Sequence, residues 1–126
     1  AMGYGLQHED YESISQIEVP REWLRQYTSS NNLALLPVIG SSMEPTYFSG
    51  DTLLVDRSFI TFTSDGVYVY RSPGGLFVKR ITRTELGGVI SSSDNKLHPS
   101  THLTPEDLEE IRVLGRVIGV WFYRSL

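Results

Sequence analysis

Leu33-Ala34-Leu35-Leu36-Pro37-Val38-Ile39 leads into Gly40-Ser41-Ser42-Met43-Glu44-Pro45-Thr46 and, after Gly50-Asp51, into Thr52-Leu53-Leu54-Val55-Asp56. An apolar run, a cluster of small and turn-forming residues and a second apolar run read as strand, turn and strand. The alternation continues: Gly66 to Tyr70, Leu76 to Arg83, Gly88 to Ser92 and Val113 to Tyr123 are further runs of strand length between turn signals. One helical turn is expected at Thr104-Pro105-Glu106-Asp107-Leu108, where threonine can cap, proline suits the first turn and the acids face the positive helix end. A short surface helix is expected over Val19 to Tyr27, with Trp23, Leu24 and Tyr27 at helical spacing. The expected fold is mostly β, with short strands and one or two short helices. No internal repeat, heptad pattern or low-complexity segment is visible, which excludes arrays and coiled coils.

With 126 residues, 40% of them hydrophobic, the chain can bury one core but not two. Ala1-Met2 reads as a remnant of tag removal and the polar, acidic stretch to Ser15 as a flexible arm, which leaves residues 16–126 as the domain. No apolar run approaches the roughly 18 residues of a membrane helix and no secretory signal opens the chain, so a cytoplasmic protein without membrane contact is expected. Cysteine is absent, which removes disulfides and thiolate metal sites. The net charge is -4 and the basic residues are scattered, so this chain is not expected to bind nucleic acid through a basic face. Nine of the eleven cationic residues are arginine, which leaves Lys79 and Lys96 as the amines that can titrate.

A serine on a tight turn at a strand end can be held by backbone geometry, with amide N–H groups nearby to stabilise an oxyanion. Ser41 and Ser42 both fit, and either could instead hydrogen-bond its own turn. In Leu76-Phe77-Val78-Lys79-Arg80-Ile81 the strand period puts Phe77, Lys79 and Ile81 on one face and Leu76, Val78 and Arg80 on the other. Lys79 thus lies between apolar neighbours, where burial lowers an amine's pKa toward that of a usable base. The plainer reading is an edge-strand lysine that discourages aggregation. Lys96, in the polar turn Ser93-Asp94-Asn95-Lys96, is expected to be solvated and a poor base.

His98 and His102 have a spacing that could serve a metal on a helix, but Pro99 lies between them and nothing completes a ligand set, so neither metal nor cofactor is expected. A Ser42, His98, Asp94 triad is formally possible, although a triad is established by geometry and not by order. Val117-Ile118-Gly119-Val120-Trp121-Phe122-Tyr123 offers apolar groups to both faces of a terminal strand. It reads either as a subunit interface or as a strand buried in the monomer.

Taken in order, Gly40-Ser41-Ser42-Met43-Glu44-Pro45-Thr46, Gly50-Asp51, Leu53-Leu54-Val55-Asp56, Gly66-Val67-Tyr68-Val69, Val78-Lys79-Arg80-Ile81, Ser93-Asp94-Asn95 and Leu114-Gly115-Arg116-Val117-Ile118 resemble the LexA and phage-repressor peptidase family, peptidase family S24. The likeness runs from about Ile17 to Trp121. It implies the LexA-like peptidase and dimerisation fold, with Ser42, immediately before methionine, as nucleophile and Lys79 as general base. It further implies an N-terminal helix-turn-helix domain, absent from this chain, that binds operator DNA. The partners it implies are a second copy of the protein and either an activated RecA filament, which stimulates self-cleavage in the SOS response, or an antirepressor protein. Family members are usually cut at Ala-Gly or Cys-Gly upstream of the domain, and neither dipeptide occurs here. Two explanations fit: the native residues begin near the glycine exposed by cleavage, or the linker is not cleaved and an antirepressor silences the protein. The rival function is accordingly a non-cleaving oligomerisation domain. A signal peptidase, which shares serine-lysine chemistry, is disfavoured by the missing membrane anchor.

Overall fold

Among the described residues, eight short strands form one antiparallel sheet. The computed structural model describes residues 15–16, 22, 25 and 31–121. Among them are β1 (Ser15–Gln16), β2 (Leu33–Pro37), β3 (Thr52–Asp56), β4 (Gly66–Ser72), β5 (Gly75–Arg83), β6 (Val89–Ser92), β7 (Thr101–Leu103) and β8 (Arg112–Trp121), with the helix α1 (Pro105–Glu109) between β7 and β8. The spatial order is β1-β2-β3-β8-β4-β5-β6-β7. The last strand in sequence is therefore a central one, pairing with β3 on one side and β4 on the other. Gly115 permits this closeness: a Cβ there would lie 2.5 Å from Val55 Cγ1 and 2.8 Å from the Asp56 carbonyl oxygen. The ladder shifts register between Leu54 and Val55 and between Val69 and Tyr70, on either side of β8, irregularities of the kind that increase local twist.

The two faces bury different material. One packs Ala34, Leu36, Leu53, Val55, Val69, Leu76 and Val78 with Met43 and Tyr47, while Leu114, Val117 and Val120 cover its rim. The other is aromatic: Tyr68 and Tyr70 meet Phe59, Phe62 and Phe77, alongside Ile81 and Val89. β5 contributes to both, Leu76 and Val78 to the first and Phe77 and Ile81 to the second, as its alternation predicts. Burying one such aliphatic side chain contributes about 1.5–3 kcal/mol, so each face is a substantial source of stability.

The six strands expected from sequence are present with small shifts at their ends. β2 stops at Pro37, yet Val38 still donates to the Asp51 carbonyl at 2.8 Å and accepts from Gly50 N at 3.1 Å, so the expected extension survives as the closure of a loop. β7 carries a single apolar residue, too little to announce a strand, and is held by pairing Leu103 with Val89. Ser15, the last residue of the stretch read as an arm, pairs with Leu35. At α1, Thr104 Oγ1 accepts from Asp107 N at 3.0 Å and the Asp107 carboxylate accepts from Thr104 N at 2.8 Å, a reciprocal cap at the expected position. The helix expected over Val19 to Tyr27, and Phe122 and Tyr123 of the terminal strand, lie outside the described residues. β8 pairs with β4 through Arg112 to Arg116 and with β3 through Arg116 to Trp121, so each half of the strand is paired along one edge and only Arg116 along both.

Candidate active site

The Ser42 loop joins β2 to β3 and is fixed by its own backbone. Gly40 takes φ 86°, a left-handed conformation that glycine adopts without a steric penalty, and turns the chain away from β2. Glu44 N then donates to Ser41 O at 3.2 Å, and Thr46 N and Tyr47 N donate to Met43 O at 2.8 and 3.3 Å. Met43 and Tyr47 sink into the aliphatic core and draw the turn down with them. Ser42 is only 2% exposed, whereas Ser41 beside it faces solvent. A cavity of about 10 Å³, lined by Ser42, Met43, Tyr47, Leu53 and Val78 among others, lies beside the buried serine and has room for little more than one water.

Lys79 is placed by strand register, opposite Tyr68 of β4. It lines a groove of about 530 Å³ together with Tyr70, Phe77, Ser91, Leu103 and Asp107. Burial holds its amine below the ordinary lysine value, because desolvation penalises the charged form. Its Nζ donates to Ser93 Oγ at 2.7 Å. Ser42 lines the small cavity and Lys79 the groove, and a hydrogen bond between Ser42 Oγ and Lys79 Nζ is not among those formed by the described residues.

What the structure does bring together is a third segment. Ser93, just beyond β6, holds the Lys79 amine. Asp94 accepts from Arg80 Nε at 2.7 Å and Nη2 at 2.8 Å, and also from Thr46 Oγ1, while its own N–H points to Met43 Sδ at 3.4 Å. Asn95 donates from its backbone to Ser42 O at 2.9 Å and from Nδ2 to Ser41 O at 3.0 Å. Three consecutive residues thus tie the serine loop to the lysine strand. The side-chain bond from Arg80 holds the Asp94 carboxyl below its ordinary value, as expected for a carboxylate at a guanidinium. In sequence this segment was visible as a polar turn and a family landmark, without its link to Lys79. Three polar residues directly after a short strand are its sole local signal, and their partners lie 14 to 54 positions away.

The Peptidase S24-like family model matches residues 1–118. The chain belongs to that family. Within it, a 26 kDa repressor protein of Escherichia phage HK022 is 28% identical over 119 residues, covering 92% of this chain and 50% of the relative. An HTH-type transcriptional regulator of Haemophilus influenzae is 30% identical over 92 residues, 72% of this chain and 38% of that one. The HTH-type transcriptional regulator PrtR of Pseudomonas aeruginosa is 32% identical over 81 residues, 62% and 32% of the two chains. This S24 chain spans half or less of the length of these relatives.

The remaining polar candidates of the S24 domain are placed less suggestively. Lys96 is exposed, as its turn implied. Asp94, the acid of the formal triad with Ser42 and His98, is occupied by Arg80 and Thr46. His98 N donates to Asn95 O at 3.0 Å within the same turn. Among the described residues no three His, Cys, Asp or Glu side chains gather to hold a metal ion, and no helix is long and apolar enough to cross a membrane.

Proposed function

We propose that this S24 chain is the C-terminal regulatory domain of a phage or mobile-element transcriptional repressor, and that it oligomerises and cuts its own linker by acyl transfer. The observation that carries the reading is the half-buried amine of Lys79, depressed by desolvation and tied through residues 93–95 to the turn of a buried serine. The neutral amine takes the proton from Ser42 Oγ as that oxygen attacks the scissile carbonyl carbon, forming a C–O bond and an oxyanion. With Glu44, Thr46 and Tyr47 amides committed to the turn, we assign the Ser42 and Met43 N–H groups to the oxyanion. Collapse breaks the C–N bond, the ammonium returns its proton to the leaving amine, and water then hydrolyses the acyl-serine with the same base.

A second reading has its own observation. Ser42 is almost sealed and its cavity has no room for a peptide carbonyl, which suits a non-cleaving oligomerisation domain that an antirepressor captures. The deciding experiment is mass analysis of the full-length protein before and after incubation with RecA, single-stranded DNA and a nucleotide. Two fragments that disappear in Ser42→Ala support cleavage; an intact wild-type chain favours the second reading. In either case the chain is expected to scatter light as a dimer or larger at micromolar concentration, and operator DNA is contacted through an N-terminal domain.

A further inference from the structure

The strand register fixes the Cα of Lys79 but not its amine, which stands at the end of four rotatable bonds beside a groove of about 530 Å³. Left alone, such a side chain would extend toward water. Ser93 Oγ accepts from the amine at 2.7 Å, and Ser93 is 9% exposed, so little water competes for the bond. A neutral amine has two N–H bonds and one lone pair. Committing one N–H to a fixed oxygen restricts where the lone pair points, and the lone pair is what must meet the serine proton. The next two residues act on the other partner: Asp94 grips Arg80, the neighbour of Lys79, as well as Thr46 of the loop, and Asn95 holds the carbonyls of Ser41 and Ser42.

We propose that Ser93 is a positioning residue for Lys79, its hydroxyl orienting the amine toward the Ser42 loop while Asp94 and Asn95 keep that loop in register with β5. The assignment rests on the cleavage reading above. It extends that reading by adding a residue that is neither nucleophile nor base. The same hydrogen bond would also suit Ser93 as a nucleophile in place of Ser42, and the test separates the two roles.

The experiment uses the full-length repressor with Ser93→Ala and Ser93→Thr. Self-cleavage is followed by mass across a pH series, and the Lys79 amine is titrated by NMR of its Nζ and Cε nuclei. Misplacing a catalytic group commonly costs about 10²-fold, and Ser93→Ala is expected to lower the plateau rate by that order. Because a hydroxyl that accepts from the ammonium favours the charged form, its loss should also move the midpoint of both the rate profile and the amine titration to lower pH. A slower enzyme with an earlier midpoint is not the signature of simple destabilisation. Ser93→Thr, which keeps the oxygen, should restore both quantities. An unchanged plateau and midpoint in Ser93→Ala would overturn the proposal, as would loss as complete as in Ser42→Ala together with an acyl adduct mapped to Ser93. A wild-type chain that never cleaves removes the cleavage reading and with it the catalytic purpose of Ser93. The NMR midpoint then still reports whether Ser93 holds the amine.

Discussion

The loop that carries Ser42 and the strand that carries Lys79 are held in place by opposite means. The loop depends on many hydrogen bonds: the closure of Val38 with Gly50 and Asp51, the turn at Met43, and two long-range bonds from Asn95. Burial of Met43 and Tyr47 adds the apolar anchor. The lysine has its backbone locked by pairing with Tyr68, and its amine held by one hydrogen bond. Damage to the loop should therefore cost stability and activity together, whereas damage at the lysine should cost activity with little loss of fold.

The largest effect should come from the chemistry itself. Ser42→Ala in the full-length repressor is expected to lower self-cleavage by about 10⁴-fold, while Ser41→Ala retains activity and both proteins still oligomerise. Cleavage by Ser42→Ala at a rate near wild type would remove the loop from the account. Next comes the loop's anchor. Met43→Ala empties a buried site and should cost about 2–5 kcal/mol in denaturant unfolding, with slower cleavage at temperatures where the chain remains folded. Unchanged stability would mean that backbone bonds alone hold the turn.

Asp94→Asn loosens the tie between the two regions and should be milder. Arg80 is 41% exposed, so solvent screens part of the pair, and a loss of about 1 kcal/mol near neutral pH is expected. The sign with pH follows from the lowered folded value of Asp94. Its contribution is present above the unfolded value of about 3.9 and is lost as pH falls through the lowered one, so wild type and variant should converge in acid. A gap that widens on acidification would contradict the assignment. The smallest effect is reserved for Lys96→Arg: on an exposed turn it should change stability by less than about 0.5 kcal/mol and leave cleavage intact.

The same contrast explains what could be read from sequence. Strand runs, their turn signals and the two faces of β5 follow from a period of two, so the side on which Lys79 lies was legible, and so was the cap at Thr104. The choice of Ser42 over Ser41 came from family likeness and not from the residues, because both serines satisfy the local turn. Burial separates them only once Met43 is seen to enter the core. The amine's partner was not legible at all. Ser93 reaches Lys79 from beyond β6, through a loop whose course is set by its bonds to Ser41, Ser42 and Thr46, and no local pattern encodes contacts of that range. The central place of β8 was not legible for a similar reason: its apolar residues read equally as an interface or as a strand buried in the monomer, and only the fold shows that Val117 and Val120 pack against the aliphatic core.

The central claim is that a neutral Lys79 amine takes the proton of Ser42. It is tested most directly by the pH dependence of self-cleavage in the full-length repressor, measured by intact mass for wild type and for Lys79→Arg. Because burial lowers the amine's value, the wild-type rate should climb with pH and level off below the pH at which a free lysine titrates, about 10.4. Lys79→Arg, which keeps the positive charge but cannot shed it, should show no cleavage at any pH in the series. A wild-type rate independent of pH, or cleavage by Lys79→Arg near the wild-type rate, would contradict the claim.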